Sequence, residues 1–405
     1  MTNARVLKIF IIFIVLLGCK SLTYNKSDYK KVGEGAELSG ANLQGADLRG
    51  VNLKNAILSL ANLNSVNLNN ANLEMSKLNH AKMDNSHLKN TILIRSNLTG
   101  TKLNNADMRR ANLSFSILSG ADLRGANLSE ANLKGAIING SRLYGANLSG
   151  ADLSRTKLIR TILMRANLKN ANLNGADLSF SDLSGANLKN ANLKNTNMKN
   201  ANLFGADLRN SNLDKTNLKG AKLYFANLRN VKLNSTNLKN ALLNNADLSN
   251  TDLSNRNFSS MNFNGAILFK VNLRGSVLTK TKLRVTDLRY ANLINAKLDN
   301  ADLEKAKLDK AMLDKANLRN AKLIKVKMNN AKLTDAILTG ADLSHADLDG
   351  SDFRGAIMIN VNLDKAVLSK IKLRGANLNG AKINRKYKSF ITGKDLTGRK
   401  VIWID

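Results

Sequence analysis

Cys19 is the residue of this chain most suited to covalent chemistry, because it is the only cysteine among 405 residues. A lone thiol cannot form an intramolecular disulfide, so its surroundings in the sequence indicate its role. Arg5 and Lys8 precede an apolar run at residues 9–17, just before the cysteine. The uncharged stretch between Lys8 and Lys20 is too short for a transmembrane helix, which needs about 20 residues. It is typical of a signal-peptide core.

The four residues that end this stretch resemble the lipobox of bacterial lipoproteins. They are Leu16, Leu17, Gly18 and Cys19. The resemblance implies a signal peptide of residues 1–18, cleavage before Cys19, and lipidation of that cysteine with fatty acids such as palmitate. Each buried CH₂ contributes about 0.8 kcal/mol, so a multiply acylated Cys19 would hold the protein on a membrane. The alternative is an ordinary secretory signal in which the cysteine has no role.

A five-residue repeat fills most of the remaining chain and must supply the elements that position other side chains. Every fifth residue from Leu38 to Ile383 is large and apolar, and most are leucine. The residue two places earlier is small, except at Arg256, Met261 and Ile371. A helix cannot gather these leucines, because five residues turn it through roughly 500°. A flat strand sends alternate ones to opposite faces. The pattern therefore predicts a chain that turns once per unit, with every large side chain inward.

The other positions of the repeat fit this geometry. One large and one small inward residue per unit allow dense packing of a narrow interior. Gly or Asn commonly ends a unit, as at Gly40 and Asn55, which suits a corner with positive φ. Proline is absent from the whole sequence, as expected where backbone N–H groups bond the neighbouring coil.

These units resemble those of pentapeptide-repeat proteins, whose consensus is A(D/N)LXX. Residues 121–125 (ADLRG) and 126–130 (ANLSE) match it, and the resemblance covers residues 36–385. It implies an all-β fold, a right-handed quadrilateral β-helix with four units per coil. The chain would then form about 17 coils, a solenoid on the order of 80 Å long at roughly 4.8 Å per coil.

Two short segments flank the repeat domain. Residues 19–35 are polar, lack the repeat and are predicted to form a lipidated tether. Residues 386–405 are predicted to cap the end of the solenoid, which otherwise exposes a sheet edge. The apolar residues of this cap are Phe390, Ile391, Val401, Ile402 and Trp403. Related proteins can dimerise through their C-terminal ends, so a homodimer interface at Trp403 is the alternative.

The net charge of +32 must lie on the outer faces, because the inward positions are apolar or small. Such a surface attracts anionic lipids, glycans and nucleic acid, less strongly as salt rises. Some pentapeptide-repeat proteins mimic DNA with an acidic surface and protect DNA gyrase from quinolones. The charge here has the opposite sign, which argues against that role.

Nucleic-acid binding is also disfavoured by the distribution of residue types. Aromatic residues make up 4% of the chain and give few platforms for base stacking. Between residues 299 and 315, acidic side chains alternate with lysines. A solvated surface of mixed charge explains this pattern better than a nucleic-acid site.

His80 and His87, with Asp84 between them, could be drawn as a metal site. With four units per coil they fall on different corners or faces, and no cysteine joins them. Asp and Asn recur at an outward position of the repeat, so paired carboxylates have no special meaning. No phosphate-binding loop or nucleophile motif is present. We therefore predict no metal, no cofactor and no enzymatic activity.

Apolar side chains at outward positions give a candidate binding surface. If a coil has 20 residues, Tyr144, Met164, Phe204 and Tyr224 share one column, interrupted by Ser184. A continuous exposed apolar strip usually marks a partner surface, although single exposed apolar residues are common. A second column contains Ile57, Ile117, Ile137, Val277, Ile337 and Ile357.

The repeat has one clustered irregularity, at Arg256, Phe258, Met261 and Phe263. Arg256 occupies an inward position, where an unpaired charge is costly. We predict a local widening or kink there, with the guanidinium turned to solvent or paired with a carboxylate.

Together these features predict a non-enzymatic lipoprotein anchored in the bacterial cell envelope. Its repeat domain would act as a rigid basic scaffold or binding surface for a protein, an anionic glycan or a lipid. The alternative is a non-specific electrostatic binder of anionic polymers or surfaces.

Overall fold

The computed structural model describes residues 24–392, 394–398 and 400–405. Its regular elements are short: helix α1 (Lys26–Tyr29), strands β1 (Asn362–Leu363) and β2 (Lys382–Asn384), a 3₁₀ helix (Arg385–Tyr387), helix α2 (Lys388–Thr392) and strand β3 (Ile402–Ile404). The strands pair in parallel, in the order β1–β2–β3. No helix among these residues is both long and apolar enough to span a membrane.

Single parallel bridges between residues 20 apart hold the rest of the chain together. Asn127 bridges to Asn147, for example, and Asn147 to Asn167. One coil therefore contains 20 residues, or four units of five, as the resemblance implied. The chain forms two compact units. We call residues up to 207 with 211–218 the N-terminal unit, and residues 208–210 with 219–405 the C-terminal unit.

Each pentapeptide donates three N–H groups to neighbouring coils and closes one corner. The N–H of Leu43 donates to Asn62 O at 2.8 Å, and the N–H of Asn62 donates to Ala41 O at 2.9 Å. The corner closes where the N–H of Ala46 donates to Leu43 O at 3.1 Å. The residue before it, Gly45, has φ of +67°. The prediction of positive φ at unit ends is confirmed, and the turn needs it.

The preference for Asn or Asp before the central leucine has a local cause that the repeat pattern alone did not reveal. The side-chain oxygen of Asn127 accepts the N–H of Ser129 at 3.1 Å. The same bond recurs along the chain, for instance from Ser179 N–H to Asp177 at 2.9 Å. Such a side chain satisfies a corner N–H that the ladder does not use, which stabilises the turn.

The interior is sealed by the large and small inward residues. Leu168 and Ala166 have no exposed surface, and Leu188 and Ala186 likewise. Where Thr occupies the small position, its hydroxyl is satisfied by a leucine carbonyl, as Thr196 Oγ1 donates to Leu173 O at 2.8 Å. A threonine such as Thr196 at an inward position therefore leaves the core intact.

The segment that precedes the first coil differs from the predicted tether. Residues 24–35 pack on the coil, with the phenol of Tyr29 buried and donating to Asp47 O at 3.1 Å. The N–H of Asn42 donates to the carboxylate of Asp28 at 3.1 Å, and the rings of Tyr24 and Tyr29 lie 5.0 Å apart. This part of the chain covers the first coil because its two tyrosines supply apolar surface. The remainder of the predicted tether, with Cys19 and the signal peptide, lies outside the described residues.

The C-terminal segment continues the ladder without a pentapeptide sequence. Strand β3 pairs with β2, with Ile383 opposite Trp403, and Gly380 N–H donates to Lys400 O at 2.6 Å. Ile391 of α2 is buried. The segment thus occupies the edge that the last pentapeptide units would expose, which is the position predicted for a cap.

The ladder of parallel bridges is interrupted at one place in the described part of the C-terminal unit. Asn227 bridges to Asp247, but among the described residues no bridge joins 232 to 252, 237 to 257 or 242 to 262. The core is looser beside this gap, since Val231 and Leu238 are 5% exposed. We call the gap the open ladder. A local distortion, predicted as a widening or kink, is therefore present beside Arg256.

Arg256 lies at the open ladder and makes contacts that the sequence did not predict. Its Nη1 donates to Leu233 O at 3.1 Å, and its Nη2 donates to Thr236 O. It forms no ion pair with any described carboxylate. The expectation of a solvent-facing or carboxylate-paired guanidinium was wrong, because carbonyl groups of the preceding coil lie within reach and accept its bonds. Phe258 and Phe263 pack edge to face beside it, 5.6 Å apart.

Candidate functional site

The N-terminal unit places three of the four predicted surface residues in one column. The N–H of Gly125 bonds Tyr144 O and that of Gly145 bonds Met164 O, so Tyr144 and Met164 occupy the same corner of successive coils. Phe204 follows two coils later, after Ser184. Tyr144 is 42% exposed and Phe204 50%, whereas Met164 is half-buried. We call these three residues the aromatic column. Tyr224 belongs to the C-terminal unit, where it is half-buried.

Polar groups surround the aromatic column. Arg165 Nη1 donates to the phenol oxygen of Tyr144 at 3.3 Å. Beside Tyr144 lies a shallow depression of about 490 Å³, lined also by Asn104, Asn105 and Arg124. An exposed ring with amide and guanidinium groups beside it is a common composition of protein-binding surfaces.

The second predicted column is less continuous. Ile117 bridges to Ile137, but the next residue in register is Lys157, and Ile57 lies between Glu37 and Lys77. In the C-terminal unit, Ile337 bridges to Ile357. The apolar residues therefore occur as pairs or singly between polar or charged ones, which is ordinary for a protein surface.

A cluster of cations and aromatic rings in the C-terminal unit was missed by the sequence reasoning. The rings of Phe269 and Tyr290 meet edge to face at 5.5 Å. Lys270 Nζ lies 5.4 Å from the Phe269 centroid, Arg289 Cζ lies 5.7 Å from it, and Lys310 Nζ lies 5.4 Å from the Tyr290 centroid. We call these five residues the cationic cluster. Phe269 and Tyr290 are one coil plus one residue apart, which is the signal that could have located it.

The cationic cluster combines two kinds of attraction. Its lysines and arginine provide positive charge, and the ring faces hold those cations in place through cation–π contacts. Tyr290 and both lysines are exposed, so a ligand can reach them. A surface of this composition suits anionic groups carried on a chain with apolar faces, as in an acidic glycan.

Ion pairs between an aspartate and an arginine neutralise part of the basic surface. Arg109 makes a bidentate contact with Asp107, with Nε and Nη2 at 2.7 and 2.6 Å from the carboxylate oxygens. This hydrogen bond holds the pKa of Asp107 below its usual value. The same pairing, between an aspartate and the arginine two residues later, recurs at 47 and 49, 122 and 124, 287 and 289, and 352 and 354.

The histidines are separated by the coil geometry. His80 ends its unit with φ of +58°, whereas His87 bridges to Asn67 and Asp107. Among the described residues, no three His, Cys, Asp or Glu side chains are grouped as a metal ion would require.

Comparison with known proteins identifies the repeat. The pentapeptide-repeat family matches successive segments that together run from residue 36 to residue 380, most of the chain. The chain belongs to the pentapeptide-repeat family. That membership accounts for the four-unit coil and for the quadrilateral β-helix.

Several solved structures of pentapeptide-repeat proteins are similar to this chain. HetL, from the cyanobacterium Nostoc and involved in regulating heterocyst differentiation, is 30% identical over 61% of this chain and 97% of its own, with a TM-score of 0.26. A protein of the Arabidopsis thaliana thylakoid lumen is 28% identical over 29% of this chain and 69% of its own, at 0.21. QnrB1, a plasmid-mediated fluoroquinolone resistance protein, is 18% identical over 52% of this chain and 90% of its own, with a TM-score of 0.25. No curated protein matches this pentapeptide-repeat protein significantly.

Proposed function

We propose that this pentapeptide-repeat protein is a non-enzymatic lipoprotein of the bacterial envelope, anchored through Cys19, whose repeat domain presents a binding surface to a partner protein. The observation that carries the binding role is the aromatic column. Its exposed rings lie on a backbone whose hydrogen bonds are already satisfied by the ladder. Binding there would cost little reorganisation, because the column is fixed by the coils on both sides.

The anchor rests on the sequence before the first coil. An apolar segment of signal-peptide type ends in the only cysteine, with Lys20 directly after it. The folded segment at residues 24–35 begins a few residues later. A lipid at Cys19 would therefore hold the first coil close to the membrane surface.

Fatty-acid labelling tests the anchor. Cells expressing the wild type or Cys19→Ala are grown with a clickable fatty acid and then fractionated. We expect label and membrane association in the wild type and neither in the variant. Equal membrane association of an unlabelled wild type would contradict the lipid anchor.

Site-specific crosslinking tests the aromatic column. The double variant Tyr144→Ser, Phe204→Ser is compared with the control Phe115→Ser, Phe180→Ser, which removes rings of similar exposure, 55% and 51%, from the same unit. A partner crosslinked in intact cells should be lost only with the first pair. Equal yields from both variants would contradict a role for the column.

A second function, electrostatic binding of anionic polymers, is favoured by the cationic cluster. Lys270→Ala combined with Lys310→Ala should weaken binding to heparin, used as a probe, more than Lys297→Ala combined with Lys332→Ala. Both pairs remove the same charge from exposed positions of one unit, so the difference in heparin binding reports the contribution of the aromatic rings beside Lys270 and Lys310. Equal effects, with steep salt dependence, would indicate attraction by net charge alone.

A further inference from the structure

The open ladder borders a partly open cleft of about 480 Å³ between two successive coils. Residues 236–240 line it from one coil, and residues 256–259 with Met261 line it from the next. Its lining includes two cations, Arg256 and Lys239, and the apolar side chains of Leu238 and Phe258. The cleft lies within the C-terminal unit and shares no residue with the cationic cluster.

The guanidinium of Arg256 is only partly satisfied. Two of its N–H groups donate to Leu233 O and Thr236 O, and a guanidinium carries five. Its charge has no ion-pair partner among the described carboxylates. Asp252 is near enough to raise the pKa of Arg256, but burial outweighs it and leaves that pKa below its ordinary value. A half-buried cation beside a cleft, with donors to spare, favours an anionic ligand.

The main chain at the open ladder presents unused donors. In a regular coil, Asn187 N–H donates to Ala166 O at 2.9 Å. By the same register, Asn257 N–H would donate to Thr236 O, but Arg256 has taken that acceptor. Among the described residues, the N–H groups of Asn257 and Leu238 have no acceptor.

Unpaired parallel edges recognise extended chains. A strand that lies along such an edge gains main-chain hydrogen bonds, and its alternate side chains enter neighbouring pockets. Here one pocket offers both kinds of contact. It is lined by the apolar side chains of Leu238, Phe258 and Met261 and by two cations, and the Arg256 guanidinium lies 5.4 Å from the Phe258 ring centroid. A ligand with a peptide backbone uses all three features, whereas a simple anion uses only Arg256.

We propose that the open ladder is a binding site for an extended peptide segment that carries a carboxylate, supplied by another protein. The carboxylate pairs with Arg256, an apolar neighbour packs on Phe258 and Met261, and the peptide main chain bonds the free N–H groups of Leu238 and Asn257. This site depends on neither the lipid anchor nor the aromatic column.

Fluorescence anisotropy with a labelled Val-Glu-Val-Glu tetrapeptide, on the full-length chain in detergent, tests the proposal. Wild type should bind it at least about tenfold more tightly than Val-Gln-Val-Gln, because a hydrogen bond between charged groups strengthens binding by about that factor. Arg256→Gln, which retains amide donors without the charge, should remove this preference. Arg274→Gln, an exposed arginine of the same unit, should retain it.

Hydrogen exchange gives a second measurement that does not depend on the variants folding. Adding Val-Glu-Val-Glu to wild type should slow exchange in residues 236–240 and 256–261 and leave residues 290–320 unchanged. Inorganic phosphate that protects these residues equally well would replace the proposal with a simple anion site. Equal binding of both tetrapeptides, or no protection by either, would overturn it.

Discussion

Two stretches of the repeat follow the same pattern of large residues, but their backbones differ in how they hydrogen-bond to the neighbouring coil. Residues 121–200 place Ala, Ser or Thr at every small inward position, and every outward residue there bridges to the next coil. Around the open ladder, Arg256 and Met261 occupy two of those positions and three successive bridges are absent. Both stretches keep a large apolar residue at every fifth place. The two stretches therefore differ at the small position and not at the leucine. Arg256 is the exception that matters, because Ile371 at the same position leaves the bridge from Asp352 to Lys372 in place.

The difference extends to the outer surface. In residues 127–187 the outward asparagines form a ladder of their own, with the amide of Asn167 donating to Asn147 at 3.1 Å and that of Asn187 donating to Asn167 at 3.2 Å. Beside the open ladder, the outward Asn257 bonds only its own corner, at Ser259. A side-chain ladder adds to the main-chain ladder only where the coils are in register.

The largest effect on the ladder should come from placing an arginine at a small inward position of the regular stretch. Ala186→Arg places a charge where Ala186 is fully buried, and an uncompensated buried charge costs about 3–5 kcal/mol. We expect the bonds from Asn187 N–H to Ala166 O and from Leu168 N–H to Asn187 O to open, because their counterparts are the ones missing beside Arg256. Hydrogen exchange of those two N–H groups should accelerate by at least about a hundredfold.

Ala186→Ser is the matched control for that experiment. Serine already occupies inward positions, where Ser181 Oγ, for instance, donates to Leu178 O at 2.6 Å, so exchange should stay close to wild type. If Ala186→Arg leaves exchange equally slow, the small residue does not control the ladder.

A smaller contrast should separate two core leucines. Leu168 is fully buried in regular coils, whereas Leu238 is 5% exposed and lines the cleft. Leu168→Ala should cost about 3 kcal/mol, as in close-packed cores. Leu238→Ala should cost roughly half as much, because the surrounding contacts are already incomplete. Equal shifts of the local opening free energy, from hydrogen exchange in denaturant, would show that the open ladder is packed as densely as the rest.

Arg256→Thr should repair the open ladder. A threonine at this position would donate to Leu233 O, as Thr196 donates to Leu173 O 23 residues earlier, and would release Thr236 O for Asn257 N–H. We expect a gain of about 1–2 kcal/mol, the range of one or two recovered hydrogen bonds. Slower exchange at residues 252–262 is the measurement. Faster exchange would mean that Arg256 stabilises the gap beside it.

The repeat fold could be predicted from sequence because the same residue types recur every five positions. The register of Leu168 or Ala186 follows from position alone, and four units per coil follow from the family. The carbonyl partners of Arg256 could not be predicted, since they depend on which groups of a neighbouring coil come within reach of one flexible side chain. The folding of the segment at Tyr24 and Tyr29 could not be predicted for a related reason. It packs through contacts between individual side chains, and its sequence has no repeat.

The smallest effect concerns the pKa values of two carboxylates, Asp107, in regular coils before residue 121, and Asp252, beside the open ladder. The Arg109 hydrogen bond is the largest cause of the lowered pKa of Asp107. The pKa of Asp252, beside the open ladder, is lowered mainly by the N–H of Ser254 and only slightly by Arg256. Arg109→Gln should therefore raise the pKa of Asp107 clearly, whereas Arg256→Thr should leave that of Asp252 almost unchanged. Carboxyl-carbon NMR titration measures both.

The sign of the stability change follows from these shifts. A carboxylate whose pKa is lower in the folded state stabilises it fully above the unfolded value, about 3.9 for aspartate, and this contribution disappears as pH falls through the folded value. Acidification should therefore weaken the coil around Asp107 only in the wild type, since Arg109→Gln has already removed the contribution. A large rise in the Asp252 pKa in Arg256→Thr would instead place Arg256 against that carboxylate, and the free donors of the open ladder would be fewer than the geometry gives.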